Sequence, residues 1–97
     1  LPSIATDWGA HQEFAHSGNS YPLAISGTVP AVAKCPYYAG FRWAEPDIDH
    51  LRVLFRQVYE RPDAARRIGL EAAREMRSRW TWRNSARVIA ERLEALR

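Results

Sequence analysis

A single cysteine, Cys35, leaves this 97-residue sequence unable to close a disulfide within itself or to build a cysteine-based zinc site from its own residues. A reducing compartment fits that scarcity. Lysine is equally scarce, with Lys34 alone beside thirteen arginines. Long apolar runs are also missing: the longest, such as residues 30–33, fall far short of the roughly 18 residues that a membrane span requires. The start, Leu1-Pro2-Ser3-Ile4-Ala5-Thr6-Asp7, lacks the basic opening and apolar stretch of a secretory signal. The expectation is therefore a cytoplasmic protein, or one whose beginning lies upstream. There is no Gly-rich phosphate loop of Walker type, no Gly-x-Ser-x-Gly elbow and no evident Ser, His and Asp grouping, so hydrolase chemistry has no support.

What is present is an ordinary globular composition, 46% hydrophobic, in a chain long enough for at most one domain. A chain of this size buries only about 60–65% of the surface its unfolded form exposes, which predicts a marginal core. The net charge of +3 is unevenly spread. Residues 1–40 hold Lys34 against Asp7 and Glu13, whereas residues 41–97 hold thirteen arginines against nine acids. Such a bias attracts phosphates, nucleic acid or an anionic membrane surface. The interleaved acids point instead to a mixed, solvated helix surface, so no nucleic-acid partner is expected and peripheral membrane association stays open.

The pattern changes near residue 46, from short, turn-rich segments to long helical periodicity. Residues 2–6 read as a buried parallel strand closed by Thr6-Asp7 and Gly9. Residues 10–15 read as a short helix, Ser17-Gly18-Asn19-Ser20 as a breaker, and residues 21–25 as a second strand despite Pro22. Gly27, Pro30, Pro36 and Gly40 predict a long loop over residues 26–45. Beyond it, Ile48, Leu51, Leu54, Phe55 and Val58 recur at helical spacing, with Asp47 as N-cap. Pro62-Asp63 restarts a helix whose inner face carries Ile68, Ala72 and Met76. Thr81 caps a third, with Ala86, Ile89, Ala90, Leu93 and Leu96 as its stripe. The predicted fold is α/β: short parallel strands, then three amphipathic helices.

Two stretches carry a family resemblance. Pro2-Ser3-Ile4-Ala5-Thr6-Asp7-Trp8-Gly9-Ala10 with Glu13-Phe14 is similar to the segment that follows the donor-binding motif in group 1 glycosyltransferases. Trp43-Ala44-Glu45-Pro46-Asp47, Leu51, the helix to Tyr59 and Arg79-Trp80-Thr81-Trp82 resemble the C-terminal end of the same family. The resemblance implies a retaining, metal-independent GT-B enzyme of two Rossmann-like lobes, with a nucleotide-sugar donor in the cleft and an acceptor hydroxyl. This chain would be the last part of the C-terminal lobe, residues 1–46 ending its Rossmann-like portion and residues 47–97 its closing helices. The family's glutamate pair, separated by seven residues, would lie upstream of Leu1, as would the N-terminal lobe. The chain alone is thus expected to be inactive, to need no cofactor and to self-associate. In the family the closing helix commonly crosses toward the N-terminal lobe, so Ile89, Leu93 and Leu96 are expected to lack an intrachain surface.

Within that frame Thr6, Asp7, Gly9 and Glu13 are the candidate donor-binding residues, because ligands of open α/β sheets bind beyond the carboxyl ends of the strands. Asp7 and Gly9 either touch the donor or merely make the turn, and Gly9→Val is expected to weaken binding without changing the melting temperature. Glu13 either faces the cleft or interacts with its own helix's N-terminal amides. The family's second glycine is Ala10 here. His11, Glu13 and His16 lack the spacing of the His-Glu-x-x-His motif, so no metal is expected. His50 reads as a surface residue. Tyr37, Tyr38, Phe41 and Trp43 around Arg42 either stack on a sugar or base or anchor the long loop onto the helices. Trp80 and Trp82 read as core. The alternative function is a small basic helical module that binds nucleic acid or a partner protein through its arginine-bearing faces, which a steep salt dependence of binding would reveal.

Overall fold

A computed structural model describes residues 1–31 and 36–97, and Cys35 and Lys34 lie outside them. The order is β1 (Ile4–Thr6), a 3-10 helix (Gly9–Glu13), β2 (Tyr21–Leu23), β3 (Ile25–Pro30), a 3-10 turn (Pro36–Tyr38), β4 (Arg42–Pro46), α1 (Ile48–Glu60), α2 (Pro62–Ser78) and α3 (Trp82–Ala95). It is an α/β arrangement of short strands and three helices.

β1 and β2 pair in parallel, Ile4 opposite Tyr21 and Thr6 opposite Leu23. Tyr21 N donates to Ser3 O and Asp7 N to Leu23 O, both at 2.9 Å, so Tyr21 and Leu23 face β1 while Pro22 faces away. A proline is tolerated there because no partner strand needs its missing N–H. Successive side chains of a strand point to opposite faces. Ile4 and Leu23 accordingly line one groove with Leu51, Phe55 and Val58 of α1, while Ser3 and Ala5 line another with Phe14 and with Ala72 and Met76 of α2. The parallel pair is therefore flanked by a helix on each face, as parallel sheets require.

The long loop expected over residues 26–45 is instead largely a β-hairpin. β3 and β4 pair antiparallel from Ile25 opposite Pro46 to Pro30 opposite Arg42, with an irregularity between Ile25 and Gly27. Of the two prolines that look like breakers, Pro30 sits at the end of the ladder, where a missing donor costs least, and Pro36 lies outside it in the 3-10 turn. Thr28, Val29 and Trp43 supply the β-forming side chains between them. The second expected strand also ends earlier, at Leu23, with Ile25 already in the hairpin.

The helical half matches its capping signals. Asp47 Oδ1 accepts from His50 N at 2.9 Å and Thr81 Oγ1 from Asn84 N at 3.2 Å. α1 is tied to the strands by Asp47 N donating to Ala24 O at 2.9 Å and by Ala24 N donating to His50 Nδ1 at 3.0 Å. His50 thus holds the β2–β3 junction in place. Asn84 Nδ2 donates to Ser78 O at 2.9 Å and to Arg79 O at 2.8 Å, capping the end of α2 from within α3. That double cap fixes the elbow between the last two helices.

The core is thin. Leu23, Leu54 and Ala65 are the buried hydrophobic residues among those described. The accessible surface is 8107 Å², against roughly 5,700 Å² for a compact monomer of this mass. The radius of gyration is 17.4 Å, against about 12.5 Å for a compact 97-residue domain. Trp80 and Trp82, expected in the core, are not there: both are exposed, Trp80 making only an edge contact with Phe14 at 6.0 Å between ring centroids. Among the described residues no element packs over the start of α3 to cover them.

Candidate functional site

The turn after β1 gathers three of the four expected donor-binding residues. Thr6 ends the strand, Asp7 and Trp8 leave it, and Gly9 opens the 3-10 helix with a φ of 62°. That left-handed conformation is routine for glycine and strained for a branched side chain. A Cβ at Gly9 would meet nothing within 4 Å, so the backbone, not crowding, dictates glycine here. The expectation that Gly9→Val leaves stability unchanged is corrected accordingly: valine at this φ strains the turn.

Two side chains unnoticed in the sequence as partners of this turn hold it. His11 Nδ1 lies 3.1 Å from Thr6 Oγ1 and 3.2 Å from Thr6 O. A carbonyl only accepts, so the proton belongs on Nδ1 and Nε2 is left as an acceptor. Gln12 Nε2 donates to Asp7 Oδ1 at 3.1 Å and approaches Asp7 O at 3.3 Å. Asp7 is exposed, and its second carboxylate oxygen makes no hydrogen bond among the described residues. It can accept from a hydroxyl. As an anion it suits a sugar or ribose hydroxyl better than a diphosphate. Only a spacing of five residues in each pair, Thr6 with His11 and Asp7 with Gln12, signals these bonds in the sequence.

Glu13 is not part of this cluster. It ends the 3-10 helix, is exposed, and makes no hydrogen bond with the helix's N-terminal amides. Among the described residues no three His, Cys, Asp or Glu side chains lie close enough to share a metal ion.

A second polar cluster holds the loop that follows the 3-10 helix. His16 Nε2 lies 3.0 Å from Glu75 Oε1, while His16 Nδ1 accepts from Gly18 N at 3.1 Å, which assigns the proton to Nε2. Asn19, 2% exposed, donates through Nδ2 to Phe14 O at 2.8 Å and to Glu75 Oε2 at 3.0 Å, and its Oδ1 accepts from His16 N at 2.9 Å. The hydrogen bond from His16 holds the Glu75 carboxyl below the usual glutamate range, although partial burial opposes it. With both ring nitrogens and the amide engaged, the cluster anchors residues 14–20 to α2.

The aromatic residues of the hairpin region do not anchor it onto the helices. Tyr37, Tyr38, Phe41 and Trp43 are exposed, with Tyr38 and Trp43 in a tilted contact at 6.2 Å. Arg42 is turned back onto its own hairpin, donating through Nε to Thr28 Oγ1 at 3.0 Å and through Nη2 to Thr28 O. On the helices several arginines pair locally: Arg52 with Asp49 at 2.7 Å, Arg74 with Glu71 at 3.5 Å and Arg87 with Glu91 at 2.6 Å. Such pairs divide the positive charge into separate patches. No helix among the described residues is long and apolar enough to cross a membrane. No family model, curated protein or solved structure matches the chain, so the family resemblance rests on its residues alone.

Proposed function

We propose that the chain is the C-terminal portion of the nucleotide-sugar-binding lobe of a retaining, GT-B-type glycosyltransferase, and that it transfers no sugar by itself. The observation that carries this reading is the place of Thr6, Asp7 and Gly9. They follow the carboxyl end of a strand in a parallel pair flanked by helices on both faces, where open α/β sheets hold their ligands. The large exposed surface supports the same reading, since a chain with so few buried residues needs further protein to complete its core.

In this role Asp7 accepts a hydroxyl of the donor, Gln12 and His11 keep the turn in shape, and Gly9 keeps the space above the backbone open. Glu13 approaches the donor only if the cleft extends along the 3-10 helix. None of these groups can neutralise a leaving diphosphate. Basic side chains or helix N-termini elsewhere in the enzyme must do so.

The test uses the longer polypeptide that contains this chain, titrated with uridine, guanosine and adenosine diphosphate hexoses. Saturable binding of one of them, weakened at least tenfold by Asp7→Ala, is expected. Gly9→Asn is the better probe of the turn, because asparagine tolerates φ above zero and adds a side chain where there is room. It should weaken donor binding while leaving the melting temperature within a few degrees. Failure of all three donors to bind, or transferase activity in the 97-residue chain alone, refutes the assignment.

A further inference from the structure

The β3–β4 hairpin sorts its side chains between two faces. Successive residues of a strand point to opposite sides, so Trp43 and Glu45 of β4 share one face with Val29 and Gly27, their partners on β3. Ala31 N donates to Phe41 O at 2.9 Å, which continues the ladder and adds Phe41 to the same face. Arg42 lies on the other face, where its Nε donates to Thr28 Oγ1 at 3.0 Å. Phe41, Trp43 and Glu45 therefore stand in a row about 14 Å long, at about 3.4 Å per residue.

That row is open to solvent. Phe41 is 65% exposed and Trp43 42%, and Tyr38, 53% exposed, meets Trp43 at 6.2 Å between ring centroids and 56° between planes. The Glu45 carboxylate is exposed and makes no hydrogen bond or ion pair among the described residues, its backbone carbonyl alone accepting from Ser26 Oγ. Opposite it Gly27 has no side chain, and a Cβ there would meet nothing within 4 Å, so the backbone beside the carboxylate is bare. Aromatic rings, a free carboxylate and unfilled space thus occur together. Among the described residues no cation belongs to this face.

This combination selects a neutral oligosaccharide. A sugar ring offers C–H groups on its flat sides, which pack on the electron-rich face of an aromatic ring, and hydroxyls at its rim, which donate to a carboxylate. Other occupants fit the face less well. Nucleic acid and anionic lipid would bring phosphates toward Glu45 with no guanidinium there to meet them. An apolar protein surface would bury the carboxylate unpaired. A second copy, paired two-fold on this face, would do the same to both of its glutamates. The rings of Tyr38, Phe41 and Trp43 also expose only roughly 300 Å², whereas a stable interface takes about 800 Å² from each partner. We propose that this face of the hairpin binds a neutral oligosaccharide, with sugar rings stacked on Trp43 and Phe41 and a hydroxyl donating to Glu45. This does not depend on the donor-binding reading, because the hairpin and the turn from Thr6 to Gly9 belong to different sheets.

The experiment is isothermal titration calorimetry of the 97-residue chain with cellohexaose, maltohexaose and chitohexaose. Saturable binding of at least one is expected, and added salt should leave it unchanged because the ligand carries no charge. Trp43→Ala should weaken it at least roughly tenfold through the lost stacking surface. Glu45→Gln, which keeps the shape and removes the charge, should weaken it about fivefold. Trp82→Ala, at a ring 92% exposed on α3, should leave it within about twofold, as should Asp7→Ala, because neither position touches the hairpin face. Circular dichroism verifies that each variant stays folded, and Glu45→Gln decides the matter by itself if the hairpin does not tolerate Trp43→Ala. The proposal is overturned if none of the hexasaccharides binds, if Glu45→Gln binds as tightly as the wild type, or if Trp82→Ala weakens binding as much as Trp43→Ala. It is also overturned by a dimer that Trp43→Ala dissociates, or by loss of binding in a longer polypeptide containing the chain, where further protein would then cover the face.

Discussion

Gly69 lies inside α2, where replacing glycine with alanine ordinarily stabilises a helix by about 1 kcal/mol. At this position the opposite sign is expected. An alanine Cβ would stand 2.7 Å from Leu1 C, 2.9 Å from Leu1 O and 2.9 Å from Pro2 N, whereas comfortable carbon contacts lie at about 3.5–4.0 Å. The atoms in the way are backbone, and Ser3 O is already committed to Tyr21 N in the parallel pair, so only the first two residues can yield. Overpacking of this kind costs about 1–3 kcal/mol, which outweighs the propensity gain and leaves Gly69→Ala about 1 kcal/mol less stable. In a domain of this size that lowers Tm by about 4–8 °C. Thermal unfolding of both proteins by circular dichroism reads the effect. The same pair lacking Leu1 and Pro2 isolates its cause, because without those residues the clash disappears and alanine should stabilise by the propensity term. An increase in Tm in the full chain, or the same sign in both backgrounds, would refute the reasoning.

Two further outcomes follow from the packing and the polar cluster. Leu54 is a buried residue of α1, and Leu54→Ala should destabilise by about 2–4 kcal/mol, enough in so thin a core to remove the cooperative urea transition; a transition shifted by less than a tenth of its midpoint would contradict its core role. Glu75 faces His16, Asn19 and Arg79, and its depressed folded-state pKa contributes stability that is present above the usual glutamate range and lost as pH falls through the folded value. The stability difference between the wild type and Glu75→Gln should accordingly narrow between about pH 7 and about pH 3, and a constant difference would show that the carboxylate charge is not involved.

The helices were legible in the sequence because their signals are local. The period of Ile48, Leu51, Leu54, Phe55 and Val58 is carried by neighbouring turns, and the caps Asp47 and Thr81 need only residues three positions away. The hairpin was not, because Gly27, Pro30, Pro36 and Gly40 weaken strand propensity and only the pairing of Val29 with Trp43, fourteen residues on, restores order. His16 and Glu75 are 59 residues apart, and nothing in either neighbourhood announces the bond. Gly69 reads locally as a helix defect and becomes explicable only when Leu1 and Pro2 lie against it. The same limit applies at the candidate site. Thr6, Asp7 and Gly9 stood out from their position after a strand, whereas the contribution of His11 and Gln12 depends on how a five-residue turn closes.

The exposed surface divides according to what can cover it. Pro22 turns its missing donor away from β1, so the outer edge of β2 cannot accept a regular strand through that residue. In the proposed lobe further strands would therefore lie beyond β1, and the turn from Thr6 to Gly9 would sit one strand in from the edge of the sheet, where open α/β sheets hold their ligands. The grooves along α1 and α2 are lined by Leu1, Pro2, Ile4, Phe55, Val58 and Leu70, without flanking arginines except Arg66, and suit the apolar faces of further protein.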